Sequence, residues 1–124
     1  GTGSGAVGLA IAAERRDARV TLVDASGAAL AVATRNRDRL GLDDVECLGG
    51  SWYEPVATRR YDAIVANPPY LASDDPHLAG LELRHEPREA LVAGRTGLEA
   101  IATIAAGARA HLAPGGWLLV EHGA

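Results

Sequence analysis

A tetrapeptide with the sequence NPPY, at residues 67–70, has the residue types that point most directly to chemistry. It follows an apolar, β-branched run at 61–66 that predicts a buried strand. Two consecutive prolines end any hydrogen-bonded ladder and leave backbone carbonyls without ladder partners. Together with the side-chain carbonyl of Asn67 and the flat face of Tyr70, these carbonyls can clamp a planar NH2 group. The tetrapeptide, called the NPPY corner below, therefore predicts a site for an amide or an exocyclic amino group.

A glycine-rich loop opens the chain, with the sequence GTGSGAVG at residues 1–8. Glycines let a backbone turn tightly and approach a ligand, and the helix expected after them presents free N–H groups. The spacing also matches the G-x-G-x-x-G pattern of dinucleotide-binding folds. Asp24 ends the next expected strand, about 20 residues on, where a carboxylate can accept hydrogen bonds from both ribose hydroxyls. These features predict a nucleoside-bearing cofactor and leave NAD and S-adenosylmethionine both open.

The elements that must position these residues alternate between helix and strand, which predicts an α/β fold with a parallel sheet. Strands are expected at 20–24, 45–48, 61–66 and 117–121, and helices at 5–16, 27–40 and 96–112. Ser26 is a suitable N-cap and Gly41 a suitable end for the second helix. We expect residues 71–95 to be an irregular loop. Because ligands bind beyond the carboxyl ends of parallel strands, the NPPY corner and the glycine loop are expected to face one crevice.

Composition narrows the class of protein. The 124 residues allow one domain at most, and 48% hydrophobic with 23% charged residues is typical of a packed chain. A net charge of −4 without any lysine disfavours a basic nucleic-acid module. The single cysteine favours a reducing, cytoplasmic compartment, and no apolar run is long enough to span a membrane. The four histidines form no i, i+4 pair, so we predict no metal site.

The motifs GTGSGA, VDAS and NPPY, in this order, resemble the class I S-adenosylmethionine-dependent methyltransferases that methylate amide or exocyclic amino nitrogens. Both the adenine-N6 DNA methyltransferases and the PrmC/HemK family of protein-(glutamine-N5) methyltransferases carry NPPY. The pattern E-P-x-x-A-L-x-x-G-x-x-G-L that follows it here resembles the PrmC/HemK family. Four further segments fit that family: RN at 35–36, SW at 51–52, LAPGG at 112–116 and LVEHG at 119–123. The resemblance covers essentially all 124 residues.

The resemblance implies a cofactor site for S-adenosylmethionine. Five residues of the glycine loop would wrap its methionine part: Gly1, Thr2, Gly3, Ser4 and Gly5. Asp24 would hold the ribose, Trp52 would lie against the adenine, and Asn67 would contact the cofactor as well as the substrate. Ser51 departs from the family, which often has Asp at this position, so it would fix the adenine amino group more weakly or through water.

The resemblance also implies the reaction and the fold. The NPPY corner would clamp the substrate amide with four residues: Asn67, Pro68, Pro69 and Tyr70. A methyl group would pass to the glutamine of the Gly-Gly-Gln motif in peptide chain release factors, without direct contact to nucleic acid or membrane. The implied fold is a Rossmann-like class I methyltransferase sheet with helices on both faces. Because its first strand and final hairpin have no counterpart here, we expect residues 1–124 to be a fragment of a catalytic domain.

Three alternatives stay open at this point. An adenine-N6 DNA or RNA methyltransferase shares NPPY, but the net charge of −4, the absence of lysine and the E-P-x-x-A-L pattern disfavour it. A NAD-binding module accounts for the G-x-G-x-x-G spacing and leaves NPPY unexplained. A catalytically inactive fragment that binds partners is the third.

Overall fold

The computed structural model describes residues 1–71, 73–74 and 91–122. Within these ranges lie the helices α1 (Ala6–Glu14), α2 (Gly27–Arg39) and α3 (Glu99–His111), and the strands β1 (Thr21–Asp24), β2 (Glu46–Gly49), β3 (Tyr61–Ala66) and β4 (Leu112–Val120). A 3₁₀ helix, Glu54–Val56, lies between β2 and β3. None of these described helices has the length and apolar character of a membrane span. The alternating order confirms the α/β class, and most of the expected irregular loop lies outside the described residues.

The chain divides into two compact units, Gly1–Ala57 and Thr58–Ala124. In the first unit, β1 and β2 pair in parallel. In the second unit, β3 and β4 also pair in parallel. Parallel pairing confirms the predicted kind of sheet, but the described strands form two two-stranded sheets rather than one.

The core of the first unit packs both helices against β1. Six buried apolar residues form it: Leu9, Ala12, Leu22, Ala33, Leu42 and Val45. Ser26 caps α2 as predicted, since its hydroxyl accepts the N–H of Ala29 at 3.3 Å. Gly41, with φ of 62°, follows the end of α2 in the left-handed conformation expected of a helix-ending glycine.

In the second unit, α3 buries one face. Its buried residues recur at helical spacing: Ala100, Ile104, Ala108 and His111. The helix begins three residues after its expected start at Thr96, because Thr96 and Arg95 instead donate their N–H groups to the side chain of Glu99.

β4 begins at Leu112, five residues before the strand expected from Trp117. Leu112 lies opposite Tyr61, and pairing resumes with Trp117 opposite Ala63, so residues 113–116 bulge out of the ladder. A Cβ on Gly116 would lie 3.0 Å from the carbonyl oxygen of Asp62, which shows how closely the two backbones approach. These four residues lie outside the strand expected at 117–121, but pairing on both sides makes them a bulge within β4.

Two glycines test how tightly the first unit is packed. A Cβ on Gly8 would overlap Cδ2 of the buried Leu22, whereas a Cβ on Gly27 meets nothing within 4 Å. We expect Gly8→Ala to lower the free energy of unfolding by about 1–3 kcal/mol through overpacking. Gly27→Ala, the matched control, should leave it unchanged or raise it by about 0.4–1 kcal/mol. Urea unfolding measures both, and equal stability of the two variants would contradict close packing of α1 on β1.

Candidate active site

The glycine loop is a tight turn held against the end of β1. The N–H of Thr2 donates to the Val23 carbonyl at 2.9 Å, and the N–H of Gly5 donates to the Thr2 carbonyl at 2.9 Å. The nitrogen of Gly1 also lies 2.9 Å from the Val23 carbonyl oxygen. Gly3 and Gly5 have φ of 57° and 81°, a region that side chains disfavour. The loop therefore needs glycine at both positions to make this turn.

Asp24 ties the glycine loop to the start of α2. Its side chain is buried, and the residue is only 8% exposed. One carboxylate oxygen accepts the N–H of Gly3 at 2.7 Å, and the other accepts the N–H of Ser26 at 2.8 Å. Because each carboxylate oxygen has two lone pairs, each keeps one acceptor position for a ligand hydroxyl. Ribose binding thus fits the free lone pairs, beside a loop-holding role that the sequence did not predict.

Asn36 also stabilises the glycine loop through a hydrogen bond, and sequence reasoning did not assign it a role. From α2, its side-chain nitrogen donates to the Ser4 carbonyl at 2.9 Å. It lies three residues after Ala33, which is completely buried, so both share one helix face. A polar amide on the buried face of a helix is the sequence signal that could have found it.

The N-terminus of α1 follows directly from the loop. Gly5 is the N-cap and supplies no side-chain hydrogen bond. The first-turn N–H groups of a helix have no intrahelical partner, and they carry partial positive charge. An anionic group, such as the carboxylate of an amino-acid ligand, is the natural partner of such an end. With the acceptor positions of Asp24, the loop suits a molecule that has both a carboxylate and a ribose.

Trp52 has an unfavourable, left-handed backbone conformation. Its φ of 52° is the only positive value outside glycine among the described residues, and its side chain is 42% exposed. Two hydrogen bonds between Ser51 and Glu54, at 3.0 and 3.3 Å, close the turn around it. At Gly50 a Cβ would overlap the ring of Pro55, so the turn is packed tightly. A left-handed aromatic residue costs about 1–2 kcal/mol, and such strain is characteristic of functional positions.

The turn around Trp52 leaves the same end of the first sheet as the loop. The N–H of Gly50 donates to the Asp24 backbone carbonyl at 3.0 Å, directly after β2. The structure thus brings together the glycine loop, Asp24 and the base of the Trp52 turn within the first unit.

The NPPY corner belongs to the second unit and starts directly after β3. Pro68 is buried and Pro69 is half-buried, whereas Asn67 and Tyr70 are exposed, Tyr70 by 39%. Within the described residues, no hydrogen bond engages the side chain of Asn67 or Tyr70. The prolines therefore anchor the corner, and the two flanking side chains stay available for a ligand.

The remaining candidates are weaker. Cys47 is half-buried on β2 and packs against the core, in line with a small apolar side chain. Over the part of the chain that the structure describes, no cluster of three or more His, Cys, Asp or Glu is arranged to hold a metal. His77, His85 and the charged residues next to His85 lie outside the described residues.

Comparison with known proteins finds similar sequences over almost the whole chain. The release factor glutamine methyltransferase of Xylella fastidiosa (strain Temecula1) is 54% identical over 99% of this chain and 45% of its own length. Proteins of the same name from Bordetella pertussis and Salmonella typhimurium are 53% and 46% identical over 99% of this chain, and over 46% and 44% of their own lengths. The chain thus spans about half the length of the curated relatives it matches.

The family model described as methyltransferase small domain matches residues 1–94. These residues include the glycine loop, Asp24, the Trp52 turn and the NPPY corner. Since the match covers well over half of the chain, the chain belongs to the methyltransferase small domain family.

Proposed function

We propose that this chain carries the methyl-transfer site of a protein-(glutamine-N5) methyltransferase that acts on the Gly-Gly-Gln motif of peptide chain release factors. The observation that carries the proposal is the NPPY corner, in which buried Pro68 presents exposed Asn67 and Tyr70 at the carboxyl end of β3. A glutamine side chain offers the planar NH2 group that such a corner suits. Relatives named release factor glutamine methyltransferase, matched over 99% of the chain, support this substrate.

In this proposal the first unit holds S-adenosylmethionine, which supplies an electrophilic sulfonium methyl group when bound. The backbone of residues 1–5 and the N-terminus of α1 bind its methionine part. The free lone pairs of Asp24 accept the ribose hydroxyls. The exposed ring of Trp52 would pack against the adenine.

The chain's own contribution to the reaction is mainly positioning. An amide nitrogen is a poor nucleophile because its lone pair is delocalised into the carbonyl group. The side-chain carbonyl of Asn67 and the backbone carbonyl of Pro68 would accept the two amide N–H groups and so aim the nitrogen lone pair at the methyl group, whose bond to sulfur breaks as its bond to nitrogen forms. The same acceptors stabilise the positive charge that develops on nitrogen. The proton then leaves to water, so no general base is required before transfer.

The α/β order and the parallel pairing support a finer proposal about the fold. We assign both strand pairs to a Rossmann-like class I methyltransferase sheet with helices on both faces. Residues 1–124 would then be the cofactor- and amide-binding part of a catalytic domain. We propose the cytoplasm as the compartment, in line with the single cysteine.

The direct test is methyl transfer by the complete protein. Mass spectrometry of a release factor incubated with enzyme and S-adenosylmethionine should show one added methyl group on the Gly-Gly-Gln glutamine. A release factor with that glutamine replaced should stay unmodified. Methylation of an adenine-containing duplex instead would establish the nucleic-acid alternative, and calorimetric binding of NAD without S-adenosylmethionine would establish the NAD-binding module.

Two asparagines separate cofactor binding from transfer. We expect Asn67→Ala to lower kcat by about a hundredfold or more, because it removes an acceptor that stabilises transition-state charge. Its effect on the Kd for S-adenosylmethionine should be much smaller. Asn36→Ala, the matched control, loosens the Ser4 carbonyl and should raise that Kd while kcat at saturating cofactor changes little. Parallel losses of kcat and cofactor affinity in Asn67→Ala would remove its differential role.

The strained turn makes a second prediction. Trp52→Gly relieves a backbone strain of about 1–2 kcal/mol but also removes the packing of the ring. Because the two effects oppose each other, the free energy of unfolding should stay within about 1 kcal/mol of the wild-type value. Its affinity for S-adenosylmethionine should fall at least about tenfold, the equivalent of roughly one aromatic contact. The matched control is Trp117→Ala, which removes the other tryptophan, 72% exposed on β4. Calorimetric titration checks both variants, and unchanged affinity in Trp52→Gly would exclude the adenine contact.

A further inference from the structure

We propose that Glu99 is a positioning residue for the amide clamp, because its carboxylate fixes a segment that in turn holds the chain directly after Tyr70. The segment comprises residues 91–98 and is called the strap. This inference rests on the proposed function and deepens it, since Glu99 belongs neither to the NPPY corner nor to the glycine loop.

The strap is bonded to the residues that follow the NPPY corner. Leu71, the next residue along the chain, donates its N–H to the Leu91 carbonyl at 3.0 Å and accepts the N–H of Ala93 at 3.0 Å. Ser73 donates its N–H to the Gly94 carbonyl at 2.9 Å. Three backbone hydrogen bonds therefore fix the exit of the corner, just as β3 fixes its entry.

Glu99 fixes the other end of the strap. One of its carboxylate oxygens accepts the N–H groups of Arg95 and Thr96, each at 3.0 Å. Gly94 has φ of 96°, and a Cβ there would lie 2.7 Å from the carboxyl carbon of Glu99. The strap thus closes tightly around this side chain. Hydrogen bonds, chiefly from the backbone N–H of Thr96, lower the pKa of Glu99 to about 2, because they stabilise the charged carboxylate.

The base of this arrangement is the packed helix α3. Glu99 is the first residue of α3, and the next residue on its buried side, Ala100, is 4% exposed. One helical turn on, Ile104 is 5% exposed. A packed helix therefore holds Glu99, Glu99 holds the strap, and the strap holds Leu71. Supporting hydrogen bonds of this kind matter for a positioning site, because a misplacement of about 1 Å can cost about a hundredfold in rate.

A simpler role for Glu99, stabilisation of α3, predicts a different result. An acidic residue in the first turn of a helix also stabilises that helix through its dipole. If that were its whole function, removing the carboxylate would lower the stability of the second unit without loosening Leu71 in particular. Local protection at Leu71 and Ala93 therefore distinguishes positioning from plain helix stabilisation.

The test compares Glu99→Ala with Glu99→Gln, which keeps a weaker, uncharged acceptor, in the complete protein. The matched control is Glu14→Ala, an exposed glutamate at the end of α1. Backbone hydrogen exchange is followed at Leu71, Ala93 and Thr2, together with kcat on the release factor and the Kd for S-adenosylmethionine. Since Thr2 lies in the first unit, its exchange reports on changes beyond the strap.

We expect Glu99→Ala to speed exchange at Leu71 and Ala93 but not at Thr2. It should lower kcat by about tenfold to a hundredfold, with the Kd unchanged and Glu99→Gln intermediate in both effects. Exchange at Leu71 equal to that of Glu14→Ala, or a rise shared equally by Thr2, would overturn the proposal. If Glu99→Ala does not fold, exchange at Leu71 and Ala93 in Glu99→Gln is compared with Glu14→Ala in the same way, and that result tests the proposal. A wild-type protein that leaves glutamine unmethylated would refute the proposed function, while exchange would still show whether Glu99 holds the corner.

Discussion

The arrangement of the first unit depends on the hydrogen bonds that the buried carboxylate of Asp24 accepts. It accepts backbone N–H groups from Gly3 and Ser26, so a single side chain joins the glycine loop, the end of β1 and the start of α2. A buried carboxylate is tolerable only when it is hydrogen-bonded, and here the partners are backbone groups that otherwise would need partners of their own. The same group is the proposed ribose acceptor. In that proposal, one residue both shapes the loop and recognises the cofactor.

Both units carry exposed candidate side chains on a closely packed backbone. At Trp52 a hydrogen-bonded turn and the packing of Pro55 on Gly50 hold an unfavourable backbone conformation. At the NPPY corner a buried proline anchors the backbone, while the neighbouring Asn67 stays exposed. In each case the stabilising contacts hold the backbone, so the side chain stays exposed and available to a ligand. This is the arrangement that catalysis by positioning requires.

Much of the local structure could be predicted because it depends on residues close together in the chain. Ser26 caps α2 through an N–H three residues on, and Gly41 adopts the conformation that ends it. The apolar run of β3 and the prolines after it gave the bounds of that strand, Tyr61–Ala66. The predicted start of β4, Trp117, was wrong. The strand begins at Leu112, because Leu112 pairs across a bulge with Tyr61 on a strand distant in sequence.

The sequence by itself predicted which residues would bind a nucleoside and an amide, because residue type, turn chemistry and hydrophobic period are local properties. Only the tertiary structure decided what holds them. Gly3 and Asp24 are 21 residues apart, and Asn36 reaches Ser4 across 32. Leu71 meets Leu91, and Glu99 closes the strap beside it. Such contacts follow from how helices and strands pack, and no spacing along the chain encodes them.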